Sequence, residues 1–239
     1  MAVSKSVCLT LLFLSVLFSG GCSQLREAVA PKGGHDVDSE LTEAEKTRAQ
    51  LLRKIDKKYE NPEAHYELGS IYQADGLWAE AENQYRIALN FDPVHRKAQA
   101  GRVAVLQRAG DTGKAGTLAE IYIEQTASSA LGSLKLALAF QGQMLDDYAL
   151  QCYRQALNLS PNSAKVNRQI GFYYLSRGDR TQAKSYLQRS FQLDPGQPQV
   201  AHQLGRLGVA IKVPRGEKRP PQQLDEAIDR ADKELTEQP

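Results

Sequence analysis

Cysteine is scarce. Cys8, Cys22 and Cys152 are the three in 239 residues, too few and too far apart for a disulfide framework or a zinc cluster. An excess of one charge is also missing, since 30 Lys+Arg stand against 28 Asp+Glu for a formal net charge of +2. Gripping nucleic acid calls for a basic patch or stripe, so no nucleic acid is expected among the partners. The 10 prolines and 18 glycines are spread along the chain, which excludes collagen-like and low-complexity classes. Recognisable chemistry is absent as well. There is no G-x-x-x-x-G-K-[ST] loop, no G-x-G-x-x-G, no H-E-x-x-H and no paired C-x-x-C. His35, His65, His95 and His202 are scattered, and Asp146-Asp147 are neighbours on a helix that point apart. No serine has an activating base that sequence identifies. No catalytic residue, cofactor, metal or small-molecule substrate is therefore expected. What is present is 41% hydrophobic residues, enough for a folded core.

The N-terminus follows different rules from the rest. Lys5 precedes a 12-residue apolar run, Val7 to Phe18, and small Ser19, Gly20 and Gly21 follow it. This is the layout of a secretory signal peptide. The run is short of the roughly 20 residues of a membrane span, although an uncleaved anchor is the alternative. Ser19-Gly20-Gly21-Cys22 resembles the lipobox of bacterial lipoproteins, with Ser19 where that family usually has Leu. The resemblance implies a signal peptide over 1–21 and a diacylated Cys22 as the new N-terminus; an ordinary signal peptide is the other option. Several acyl chains hold a protein stably, because each buried CH₂ adds about 0.8 kcal/mol. By the sorting pattern of the same family, Ser23 after the Cys implies the outer membrane, facing the periplasm. Residues 22–38, with Pro31 and Gly33-Gly34, are expected as a flexible linker.

Helical patterning begins near Ser39 or Thr42. Thr42 and Glu45 have the capping-box spacing, and Leu51, Leu52 and Ile55 recur at helical intervals, so 39–61 is expected to hold an N-terminal capping helix. From Asn61-Pro62 onward the chain repeats itself. Ala81, Ala115, Ala149 and Ala183 are 34 residues apart, and Tyr72, Leu106, Phe140 and Tyr174 keep the same step. Leu68, Arg102, Leu136, Ile170 and Leu204 share another phase, with Arg102 the polar exception. A fixed period of 34 residues marks stacked structural repeats. In each, Ala64, Leu68, Ile71 and Tyr72 or their counterparts form one helix face, a turn near Gly76 breaks the helix, and a second helix ends at Asp92-Pro93 or its counterpart. A single hairpin cannot bury its apolar face, so hairpins stack.

These residues resemble the tetratricopeptide repeat, whose first helix carries Leu-Gly then Tyr, and whose second carries Ala, an aromatic, Ala and Pro. The resemblance implies an all-α tetratricopeptide-repeat solenoid over 62–211 with units 62–95, 96–129, 130–163 and 164–197 and a cap helix over 198–211. The second unit departs from the pattern at Arg102, Val103, Ala119, Tyr122 and Ala127, and the third has Ala137 for Gly and Met144 for the turn Gly. His65 and Cys152 fall at packing positions. The polar tail 212–239 could place Leu224, Ile228, Ala231 and Leu235 on one side of a short helix, but its mixed charge favours a solvated tail over a docked one.

In that family, set positions of each first helix line a concave groove. Here they are Glu63, Tyr66, Ser70 and Gln73, then Lys97, Ala100, Ala104, Gln107 and Arg108. They continue with Leu131, Leu134, Leu138 and Gln141, and end with Lys165, Arg168, Phe172 and Leu175. The Leu131-Leu134-Leu138 stripe suits either a bound helix or peptide, or packing against a neighbouring helix. Tyr66 and Ser70 stand where carboxylate-clamping repeats carry Lys and Asn, so that clamp is not expected. The expected function is a lipid-anchored extracytoplasmic scaffold that binds a protein or peptide partner. A pilotin-like role in type IV pilus or secretin assembly, a structural homo-oligomer and an enzyme-accessory subunit are the alternatives.

Overall fold

The computed structural model describes residues 42–211 and 223–236. The expectations for the signal peptide, Cys22 and the linker, and for the stretch 212–222, lie outside the described residues. The description concerns the unit that begins at Thr42.

Among the described residues the fold is all α, with eleven helices. They are α1 (Glu43–Lys57), α2 (Pro62–Ala74), α3 (Trp78–Phe91), α4 (Arg96–Arg108), α5 (Thr112–Glu124), α6 (Ala130–Gly142), α7 (Asp146–Leu159), α8 (Ala164–Ser176), α9 (Arg180–Leu193), α10 (Pro198–Arg206) and α11 (Gln223–Thr236). The pairs α2/α3, α4/α5, α6/α7 and α8/α9 are hairpins stacked in chain order. Thr42 and Glu45 make a reciprocal capping box at the start of α1. Asn61, Asp111, Ser129, Ser163 and Asp179 cap five later helices through their side chains.

All four hairpins turn through the same device. At the first, the Gly76 N–H donates to the Gln73 carbonyl and the Leu77 N–H to the Tyr72 carbonyl, with Gly76 at φ 76°. This is the Schellman closure, which satisfies two carbonyls the helix end would leave open. The third hairpin makes the same bonds with Met144 at φ 60°, a left-handed conformation that costs a residue with a Cβ. Gly208 closes α10 in the same way, so the cap helix ends at Arg206 and not at the expected residue 211. Leu207, Val209 and Ile211 still pack beside Leu187, Phe191, Val200 and Leu204. Likewise α1 covers 43–57, a shorter span than 39–61.

Small residues let the hairpins close up. Tyr85 of α3 is fully buried between α2 and α4. A Cβ on Gly69 would sit 2.8 Å from Cε1 of its ring, and one on Gly101 would sit 2.7 Å from Cζ. In the fourth unit Leu187 fills the corresponding space over Gly171. The second unit is rich in small residues. Ala98, Ala100, Gly101 and Ala104 leave α4 thin and buried, in contact with both α2 and α6. Gln73 Nε2 donates to Gln143 Oε1 at 2.7 Å, joining the first unit to the third. Arg102, the polar exception in its phase, pairs with Glu82 on α3 at 2.8 Å.

One expectation for the tail is corrected. The helix α11 docks, lying against α6 and α8 with Ile228 buried in the main core cluster and Leu224 packed beside it. Mixed charge suggested solvent exposure, but the negative side chains of this face meet donors on α8, so their charge is compensated where it is buried.

Candidate functional site

Gln73 and Gln143, joined by their side chains, stand between two cavities, and Gln143 lines both. The smaller, about 150 Å³, is lined by Ser70, Gln73, Ala74, Tyr85, Arg108 and Gln143. The Tyr85 hydroxyl donates to Gln73 Oε1 at 2.7 Å, and Arg108 lies over the Trp78 ring. Burial pushes the Tyr85 hydroxyl up to about 12, so it is a neutral hydrogen-bond donor at any physiological pH.

The larger cavity is a groove of about 560 Å³ running from α2, past the start of α4, along α6 to α8 and α11. Its floor is apolar. Leu134 is 1% exposed and belongs to the core cluster, Leu131 is half-buried, and Leu138 is exposed. The leucine stripe therefore serves both ends of the expectation: its middle member is core and its flanking members face the groove.

The rim is charged and aromatic. His95 Nδ1 accepts the Ala98 N–H and caps α4, which leaves the proton on Nε2 to donate to Glu63 Oε2 at 2.8 Å. This hydrogen bond holds the Glu63 carboxyl below the usual carboxylate range, against its own partial burial. The Tyr66 ring lies 5.0 Å from the His95 ring, with Lys97 Nζ 5.8 Å above it. Arg96, half-buried, and Lys135, exposed, complete the lining on that side. Desolvation lowers the Arg96 guanidinium from its ordinary value, with Asp92 opposing. Asp92 also lines the groove, so Arg96, Lys97 and Lys135 outnumber Glu63 and Asp92 by one, and an apolar floor beneath this rim suits a segment with apolar side chains and some negative charge.

Glu63, Tyr66, Lys97, Leu131, Leu134 and Leu138 thus come together in one groove, and Ser70, Gln73 and Arg108 in the smaller cavity. Ala100 and Ala104 are buried in the core cluster with Leu134 and Ala137 of α6. Gln107, Gln141 and Arg168 line neither cavity. Instead of facing the groove, Phe172 and Leu175 pack on the Leu187–Leu204 cluster toward α10. Lys165 is 9% exposed because α11 covers it. Sequence reasoning missed His95, Arg96 and Lys135, which lie just outside or between the positions the resemblance selects. It also missed Ile228, whose apolar spacing was visible and whose docking was not. His65 is a packing residue, its Nε2 bonded to the Tyr59 carbonyl at 2.9 Å. Cys152 is fully buried. Among the described residues no group of three or more His, Cys, Asp or Glu is placed to hold a metal ion, and no helix is long and apolar enough to cross a membrane.

Residues 164–197 match the family model described as tetratricopeptide repeat. No curated protein sequence matches the chain. Among solved structures it is similar to TTC0263, described as a thermophilic TPR protein in Thermus thermophilus, at 16% identity and TM-score 0.41, covering 70% of this chain and 91% of that one. It is similar to YrrB, described as a TPR protein with an unusual peptide-binding site, at 17% identity and TM-score 0.36, covering 70% and 87%. It is also similar to PilF of Pseudomonas aeruginosa, at 23% identity and TM-score 0.36, covering 67% and 68%. The fold is a tetratricopeptide-repeat solenoid of four stacked hairpins with a capping helix, and its fourth unit, residues 164–197, matches the family model of that repeat.

Proposed function

We propose that this chain is a protein-binding scaffold that holds a peptide or helix of a partner in the groove between α2, α6 and α8. The observation that carries the proposal is the composition of that groove: Leu131, Leu134 and Leu138 beneath His95, Arg96, Lys97 and Lys135, in about 560 Å³ of preformed space. A groove held by stacked hairpins loses little freedom on binding, so more of the contact energy becomes affinity. Its mechanism is recognition, not catalysis. The lipobox resemblance at Cys22 supports lipid anchoring in the bacterial envelope, with the outer membrane suggested by Ser23; palmitate labelling lost in Cys22→Ala checks the anchor.

Photo-crosslinking tests the groove. A benzophenone side chain at Leu138 should capture a discrete partner, whereas one at Ile121, also exposed but on α5 away from the groove, should not. The same products from both positions, or unchanged capture after Lys97→Glu and Lys135→Glu together, would refute the assignment.

A further inference from the structure

The groove is not empty of protein: part of it is already held by a segment of the same chain. Four side chains of α11 meet the array in two pairs one turn apart, Leu224-Asp225 and Ile228-Asp229, so that an acidic residue follows each apolar one. Ile228 is 4% exposed and Leu224 half-buried against the core. Each aspartate meets a specific donor. Asp225 Oδ1 accepts from the Ser163 hydroxyl at 2.5 Å and from the Lys165 main-chain N–H at 3.4 Å. It therefore sits on the N-terminus of α8, where open N–H groups and the helix dipole favour a negative charge. Lys165 Nζ donates to the Asp225 carbonyl at 2.5 Å and pairs with the Asp229 carboxylate. The face of α6 and α8 thus reads apolar side chains at i and i+4 and carboxylates at i+1 and i+5.

Two observations make α11 a replaceable occupant. A 14-residue helix holds itself only marginally in water, so α11 depends on these few contacts. In addition, it fills the groove only to Ile228, which forms the wall of the open volume that continues to Leu131, Leu138 and Tyr66. A helix with the same acidic pattern but a larger apolar side chain at the Ile228 position would keep the Ser163 and Lys165 contacts and also fill that space.

We propose that the cleft between α6 and α8 is the seat of an acidic amphipathic helix from a partner protein, and that α11 is a built-in competitor for it. The proposal rests on the scaffold function above and specifies its ligand. Carried on the same chain as its site, α11 competes at an effective concentration on the order of 1 mM. If its intrinsic affinity is about 10 µM, about one site in a hundred is open, and an outside helix binds the intact chain about 100-fold more weakly than a chain whose α11 is released.

The test is fluorescence anisotropy with a labelled peptide of sequence QLDEAIDRADKELT, residues 223–236, and the full chain in mild detergent. The chain carrying Leu224→Asp and Ile228→Asp should bind this peptide about 100-fold more tightly than wild type. Adding Lys165→Glu should abolish binding, and a peptide with Asp229→Lys should restore it. A peptide with Trp at the Ile228 position should bind more tightly than the native sequence. Equal binding by wild type and released chain, or tighter binding by neither peptide once the released chain shows a wild-type circular dichroism spectrum, overturns the proposal. Should the released chain not fold, hydrogen exchange on wild type decides: excess Trp peptide should accelerate exchange across 223–236, and unchanged protection overturns the proposal. Self-association of wild type that disappears in the released chain would make the occupant a second copy's α11 and overturn the partner-helix assignment. Crosslinking from Leu138 that persists when the peptide fails to compete would leave the scaffold function standing and remove only this one.

Discussion

The contact between Tyr85 and two glycines decides how closely α2 and α4 approach, and Gly101→Ala tests it. The added Cβ would lie 2.7 Å from Tyr85 Cζ and 2.8 Å from Cε2, inside any normal contact. The ring has no room to retreat, because Gly69 of α2 abuts it 2.8 Å from where a Cβ would stand. Overpacking of this kind costs about 1–3 kcal/mol. Replacing a helical Gly by Ala returns up to about 1 kcal/mol in propensity. The net expectation is a loss of about 1–2 kcal/mol, or a fall in Tm of about 2–8 °C for a chain of this size. Urea denaturation followed by far-UV circular dichroism measures it. Gly113→Ala is the control, since a Cβ there meets nothing within 4 Å; it should be neutral or stabilise by up to about 1 kcal/mol. In a Tyr85→Leu background the cost of Gly101→Ala should largely vanish, which identifies the ring as its cause. Wild-type stability in Gly101→Ala, or an equal loss in Gly113→Ala, would refute the packing argument. The same spacing matters for function, because it sets Tyr66 and Glu63 of α2 against His95 and Lys97 at the groove rim.

Other outcomes follow from the turn at Met144 and from the buried thiol. Met144 is 69% exposed and contributes little packing, yet holds φ 60° in the third hairpin. Met144→Gly should therefore stabilise the chain by about 1 kcal/mol, read from the same urea curves, and a loss of stability would show that the side chain matters. Burial pushes the Cys152 thiol up to about 12, with Arg96 only partly opposing. In the folded chain it should resist iodoacetamide at pH 8 and react once urea unfolds the array, as mass spectrometry of the Cys152 peptide would show. An unfolded thiol ionises from about pH 8.5, while the folded one keeps its proton to about 12. The unfolded state thus sheds protons first, and stability should fall as pH rises across that window. A urea midpoint that stays constant from pH 8 to pH 11 would contradict this.

Much of the fold was legible in the sequence because its code is periodic. Ala81, Ala115, Ala149 and Ala183 recur at one spacing, and each is fully buried in the same place within its hairpin. The turn glycines were legible for a local reason: a helix closed by a Schellman motif needs a left-handed residue, and Gly76, Gly110 and Gly178 supply it. Individual site residues were harder. Ala100 and Ala104 hold groove positions in the repeat register, but both are buried in the core cluster against α6. Phe172 holds another such position and packs toward α10. His95 was seen only as one of four scattered histidines, and its pairing with Glu63 joins residues 32 apart in the chain.

By itself the sequence determined what repeats: the helical hairpins, their turns, their stacking order and the apolar faces that drive it. Those features depend on neighbours within one 34-residue period, which a linear pattern records. The tertiary structure decided which repeats meet beyond their chain neighbours, and that α11 lies on α6 and α8. Those depend on contacts between distant residues, Gln73 with Gln143 and Ser163 and Lys165 with Asp225. An acidic face such as that of Asp225 and Asp229 is solvated or buried according to whether donors await it, and the donors lie on a helix about 60 residues away.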